Sequence, residues 1–297
     1  MNLKQIKSLP ILLKNKINFD IKKIIKKRRI FSEATLMGVL NMTPDSFSDG
    51  GKFNTLNKSL KQIKNMIYSG ATIIDIGGES TRPGSKDVPP KKEWKRIEKV
   101  VKIFKKKFPK KLLSIDTRKS LVVKNSKKFK PDIINDVSGF NYDQELLKTI
   151  KDSNMWKVIH HMQGVPNTMQ KNPKYKNVLL DIYDFFENKI QNEFKRSRHS
   201  DKVILDPGIG FGKNLKHNLM LMSKISIFHS LGFPILIGTS RKRFINQISG
   251  KFDTNERIGG TLSSILFTLS QGVQIFRVHN VKEVKQGMLV YKKLLDQ

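Results

Sequence analysis

The chain has 297 residues, 38% of them hydrophobic, with 57 Lys+Arg against 25 Asp+Glu and a formal net charge of +32. That apolar content can fill a sizeable core and excludes a wholly disordered chain. The lack of Cys excludes a disulfide framework, a thiolate zinc site and a Cys nucleophile, and no apolar run approaches the ~20 residues of a transmembrane helix.

Residues 1–30 hold ten basic residues and one acid, Asp20, and read as a basic N-terminal extension to a domain spanning 31–297. The apolar stretch at 9–13 is too short and broken for a secretory signal, so a cytoplasmic location away from membranes is expected. Short β-branched runs then recur at 35–40, 72–76, 112–115, 133–134, 157–159, 203–205, 234–237 and 274–278. Each is bounded by Gly, Pro, Asp or Asn, as buried strands are. Amphipathic stretches of helical length lie between them, among them 56–68, 91–108, 179–198, 215–231 and 255–270. This eightfold alternation predicts a parallel α/β architecture. Eight units in ~260 residues favour a single-domain (β/α)8 TIM barrel, although period and length do not separate it from an open doubly wound sheet.

A barrel gathers its chemistry at the C-terminal ends of its strands. Those positions hold Asn41, Asp75, Asp116, Asn135 and Asp136, His160 and His161, Asp206, Ser240 to Lys242, and Arg277 with His279. One carboxylate there reads as a helix cap. Four equivalent ones, in a chain with only 16 Asp, point to a shared polar site. The connections at 41–54 and 77–90 exceed the ~12 residues usual in compact domains. Rich in Gly, Ser and Thr, with Arg82 in the second, they have the make-up of loops that close over an anionic, planar substrate. The glycine run at 208–213 is no P-loop, because Pro207 stands where the first Gly belongs and Asn214 follows Lys213. His160 and His161 lack metal-ligand spacing, so one is expected to face the barrel interior while the other packs. Of the 57 basic residues 46 are Lys, interleaved with helix-period apolar positions, which reads as solvated outer faces; composition alone leaves a nucleic-acid partner open, and the motifs decide.

The sequence Gly38-Val-Leu-Asn-Met-Thr-Pro-Asp-Ser-Phe-Ser-Asp-Gly-Gly51 and the segment from Gly70 through Gly77-Gly-Glu-Ser-Thr-Arg-Pro-Gly84 resemble the two signature blocks of the dihydropteroate synthases. Ser114-Ile-Asp-Thr117, Ile134-Asn-Asp-Val-Ser138, His161-Met-Gln-Gly164, Leu205-Asp-Pro-Gly-Ile-Gly-Phe-Gly-Lys213, Gly238-Thr-Ser-Arg-Lys242 and Arg277-Val-His279 match the remaining blocks in order, over roughly 34–295. The resemblance implies a (β/α)8 barrel that condenses 6-hydroxymethyl-7,8-dihydropterin pyrophosphate with 4-aminobenzoate, giving 7,8-dihydropteroate and pyrophosphate. It assigns the pterin to Asp116, Asn135, Asp206 and Lys242, with Asp75 nearby. Pyrophosphate falls to Asn41, Arg277 and His279, with Asn41 also on a Mg²⁺ ion. Aminobenzoate falls to Thr81, Arg82, Pro83, Phe211 and Ser240. It further implies a homodimer formed through late helices, although the apolar stripe Leu262, Ile265, Leu266 and Leu269 would serve equally as a core face. Two residues depart from the family pattern. His160 replaces an apolar residue and could add pH dependence, and Asn280 replaces an Asp, which would leave His279 less well held.

Overall fold

The structure, a computed structural model, describes residues 34–43, 52–81, 84–250 and 252–297. The expected basic extension, most of the first long loop, and the proposed ligands Arg82 and Pro83 lie outside the described residues.

Eight strands form one parallel sheet: β1 (Thr35–Asn41), β2 (Ile73–Gly77), β3 (Leu112–Asp116), β4 (Ile133–Asp136), β5 (Trp156–His160), β6 (Val203–Asp206), β7 (Leu236–Ile237) and β8 (Ile275–Val278). β1 pairs with both β2 and β8, and a single bridge between Leu205 and Ile235 joins β6 to β7. That closure decides between the barrel and the open sheet. The outer ring comprises α1 (Lys52–Tyr68), α2 (Pro90–Lys107), α3 (Ser120–Ser126), α4 (Gln144–Ile150), α5 (Val178–Lys189), α6 (Leu215–Ser223), α7 (Arg243–Ser249), α8 (Ile258–Ser270) and α9 (Val281–Leu295). A π-helical turn, Ile190–Phe194, prolongs α5, and a 3₁₀ segment, Ile225–Leu231, follows α6.

Side chains alternate across each strand, so every strand serves two layers. One face supplies Leu40, Ile74, Ile76, Ile115, Ile134, Leu205 and Phe276 to the core beneath the helices. The other fills the barrel with Met37, Ile73, Ile133, Trp156, Val158, Ile204, Leu236 and Ile275. Slipping any strand by one residue would exchange the two sets, so the pattern fixes the register. Above this apolar plug the inward positions turn polar, through Asp75, Ser114, Asn135, Asp116, His160, Asp206 and Arg277. In α8, Ile265 is buried, while Leu266 and Leu269 pack against the same core. Three of the stripe's four residues therefore face the core.

Candidate active site

The polar end of the barrel opens into a cavity of about 620 Å³. Its walls bring together Asn41, Thr81, Asp116, Asn135, Asp206, Phe211, Ser240, Lys242, Arg277 and His279 from seven strand ends and the loops that follow them. Asp75, expected beside them, does not line the cavity. It is fully buried one layer below, where it accepts hydrogen bonds from Ser114 Oγ (2.5 Å), Asn135 Nδ2 (3.1 Å) and Arg277 Nε (2.7 Å). Arg277 reaches over it to Asp116 Oδ2 at 2.7 Å. The arginine expected to face phosphate is thus first a brace between two carboxylates, and it orients Asp116 and Asn135 through shared partners.

Two carboxylates facing one guanidinium leave a net negative charge in a poorly solvated place. Burial, reinforced by the neighbouring Asp75, pushes the Asp116 carboxyl up to about 8 against the pull of Arg277. Arg277, although burial opposes its charge, is held above its ordinary value by Asp75 and Asp116. Burial likewise lifts Asp206 to about 6, opposed by a hydrogen bond from the Gly208 N–H and by Lys242 and Arg277. The fourth strand-end carboxylate, Asp136, belongs to its own loop. It accepts from the Ser138 N–H and Oγ, both at 2.7 Å, and from the Phe140 N–H at 3.1 Å.

The glycine run after β6 builds one wall. Gly208, Gly210 and Gly212 all have positive φ, and a Cβ on Gly208 would collide with the His161 carbonyl oxygen. This tight turn presents Phe211, whose ring lies 3.9 Å from Lys242 Nζ and edge-on to His160 at 4.6 Å between centroids. Lys213 secures the turn from below. It is buried, donates to Phe211 O (2.9 Å) and lies 3.0 Å from His161 Nδ1, while burial pulls its ammonium down to about 7.

The adjacent histidines divide as expected. His160 ends β5, lines the cavity and has Nδ1 2.9 Å from Val137 O, whereas His161 packs edge-on against Phe185. Burial and the Lys213 charge hold both far below the usual imidazole range, so His160 stays neutral and adds no titration near pH 7. Asn280 also differs from expectation. Its Oδ1 accepts from Arg241 Nε at 2.9 Å, whereas His279 is held by Ser240, with Nδ1 3.1 Å from Oγ. Arg241 adopts a left-handed φ of 62° at this turn, anchored by its N–H on Thr261 Oγ1.

A group that the strand-end reading passes over sits beside the cavity: Glu79, Arg118 and Lys119. Its signal was present, since two cations follow Asp116 within three residues and Glu79 stands in the second long loop. Among the described residues no cluster of three or more His, Asp or Glu is arranged as a metal site.

A family model described as pterin binding enzyme matches residues 37–279. The dihydropteroate synthase of Escherichia coli K12 is 40% identical over 265 residues, covering 89% of this chain and 93% of that protein. The crystal structure of Yersinia pestis dihydropteroate synthase with a sulfonamide drug complex gives a TM-score of 0.83 at 37% identity, covering 90% of this chain and 96% of that one. Xanthomonas albilineans dihydropteroate synthase with 4-aminobenzoic acid also gives 0.83, at 30% identity over 90% and 95% of the two chains.

Proposed function

The chain belongs to the pterin-binding enzymes, among the dihydropteroate synthases, and we propose how its own residues carry out the reaction of folate biosynthesis that joins 6-hydroxymethyl-7,8-dihydropterin pyrophosphate to 4-aminobenzoate. The pterin edge alternates N–H donors with ring-nitrogen and carbonyl acceptors. Asp206 and Asp116 take the donors, the Asn135 amide serves either kind, and Lys242 serves the acceptors. Asp75 does not touch the pterin in this reading. It holds Asn135 and Arg277 in place from below.

The pyrophosphate leaves toward Arg277 and His279. The two ion pairs of Arg277 engage two of the five N–H donors that a guanidinium carries, and its side chain remains 24% exposed on the cavity side. As the carbon–oxygen bond lengthens, the electron-rich dihydropterin spreads the positive charge of its methylene, and fixed cations stabilise the departing oxygen. The arylamine then attacks that carbon. It is neutral at pH 7 and loses its proton after the bond forms, so no strong general base is needed. Thr81, Phe211 and Ser240 shape the aminobenzoate site, with Arg82 and Pro83 from the same loop as Thr81.

Asn41 fits a Mg²⁺ ion in one respect: it offers a neutral amide oxygen at the cavity wall. Mg²⁺ commonly takes one or two protein ligands and completes its shell with water and substrate phosphate. Bound there, it would neutralise charge on the pyrophosphate. We also place the enzyme in the cytoplasm as a homodimer. Support for the dimer comes from Phe267 on α8 with Leu289 and Val290 on α9, large apolar side chains that are all more than half exposed. Light scattering on the purified chain checks the mass.

The observation that carries this reading is the meeting of Asp116, Asn135, Asp206, Lys242, Arg277 and Phe211 around one cavity. Purified protein given both substrates and Mg²⁺ is expected to release pyrophosphate, with sulfonamides competing against aminobenzoate. Folded protein without turnover above a heat-killed control, or noncompetitive inhibition, would contradict it.

A further inference from the structure

The second long loop rests on a buried ionic base. Glu79, at its start, accepts from Arg118 Nε at 2.9 Å and from Lys119 Nζ at 2.8 Å. The same carboxylate accepts from the Val88 N–H at 2.9 Å, which pins the loop's return to its start. Lys119 Nζ donates to the Val88 carbonyl and lies 3.0 Å from both Asp87 and Glu93. Arg118 Nη2 reaches Asp87 at 3.0 Å, and the guanidinium lies 3.9 Å from the centre of the Tyr142 ring, whose hydroxyl donates to Asp87 at 2.9 Å. Arg96 Nη1 donates to the Gly78 carbonyl at 2.6 Å. Both ends of the segment that carries Thr81 are thus tied to the two residues that follow Thr117 at the end of β3.

Such a cluster is expensive to bury. Lys119 and Glu93 are 2% and 0% exposed, and replacing similar ion pairs with apolar side chains is often neutral or stabilising. Stability therefore gives a weak reason for it. Position gives a stronger one. Glu79 and Thr81 both line the cavity, and β3 also supplies Asp116, so one strand holds the floor of the site and the base of its loop.

We infer that Arg118 and Lys119 are positioning residues for the aminobenzoate. They act through Glu79 and Asp87 to set the height of Thr81 over a pterin held by the other wall. This rests on the reading above that the Thr81 loop borders the aminobenzoate site. A clamp of this kind acts mainly on one substrate. Among the described residues no hydrogen bond or ion pair joins Asp206 or Asn135 to the cluster, and Asp116, on the same strand, meets it only through the more distant charge of Glu93.

The test separates the two substrates. Lys119→Met, close in volume but uncharged, is expected to raise the KM for aminobenzoate about tenfold, as coupled neighbours commonly do, and to weaken sulfonamide binding in parallel. Its kcat at saturation and its pterin affinity by calorimetry should stay within about twofold. Asp87 is 56% exposed at its side chain, so Asp87→Asn should fold even if Lys119→Met does not, and it should move the same KM by about threefold. Arg118→Lys, which keeps the charge, should do less than Arg118→Met. Thr81→Val tests the underlying reading: an unchanged aminobenzoate KM there would remove the loop from that site. If Thr81→Val shifts that KM while folded Lys119→Met or Asp87→Asn leaves it unchanged, or shifts pterin affinity equally, the clamp is overturned and the site reading stands.

Discussion

Two clusters of mostly buried carboxylates and cations flank β3, and they differ in what their charges face. In the barrel, Asp75 and Asp116 share Arg277, while Asp206 and Lys242 face an open cavity from the neighbouring ends of β6 and β7. At the loop base, Glu79, Asp87 and Glu93 close on Arg118 and Lys119. The first cluster leaves hydrogen-bonding capacity for a ligand, and two of its carboxyls are pushed up by burial to about 8 and about 6. The second uses most of its capacity internally, although Glu93, whose carboxyl burial also pushes up, meets Lys119 only as an ion pair. Burial disfavours the charges of Arg118 and Lys119, yet the surrounding carboxylates hold both above their usual values. Similar ingredients therefore make a binding surface where a ligand must complete them and a brace where they complete one another.

The comparison breaks most readily at the open cluster. Lys242→Ala or Asp206→Ala should weaken pterin binding by about a hundredfold or more, because each removes a charged partner in a desolvated site. Calorimetry on variants with unchanged circular dichroism measures this, and an affinity within threefold of the parent would remove the residue from the site.

A smaller effect sharpens the electrostatic half. The folded-state value of Asp206, about 6, lies above the ~3.9 of an unfolded carboxyl. Its contribution to stability is therefore full below about pH 4 and is lost as pH rises through about 6. Asp206→Asn should accordingly stabilise the unliganded protein by about 2–3 kcal/mol at pH 7 and by much less at pH 4. Thermal melts at both values check the sign, and an equal shift at both would contradict the assignment. Asp75→Asn should act through the same field. Removing the like charge lowers the Asp116 value, so the alkaline part of the pterin-affinity profile moves to lower pH. An unmoved profile would mean that Asp75 does not set that titration.

The smallest effect lies at the rim. Asn280→Asp adds a charged partner for Arg241 without touching the cavity contacts of His279. It should raise stability by no more than about 1 kcal/mol and leave kcat within twofold. A large loss of activity would restore the expectation that position 280 supports His279.

The sequence carries the strands and the polar positions above them, because apolar runs and their terminal carboxylates alternate with a period that closure does not change. The short helices α3, α4 and α7 span two turns each, too little for a helical period to stand out. The difference among four similar strand-end carboxylates was not legible either. Asp75, Asp116 and Asp206 point into the barrel at different heights, while Asp136, on an outward position, turns back on Ser138. Which layer a carboxylate occupies depends on the stagger between strands, and no single strand records it. Glu79 was in view within a recognised loop, but its partners lie about forty residues away and meet it only through the pairing of β2 with β3.

The shortness of β7 has a mechanical consequence. Seven of the barrel's eight seams are continuous ladders, and the eighth is held by one bridge between Leu205 and Ile235, with the Leu205 N–H on the Pro234 carbonyl. Asp206 stands at the upper end of one side of that seam, and Ser240 to Lys242 rise from the other. A pterin gripped by Asp206 and Lys242 would span the weakest joint of the cylinder like a rivet. Amide protons along β6 and β7 should then exchange fastest in the empty protein and slow most when the ligand is seated.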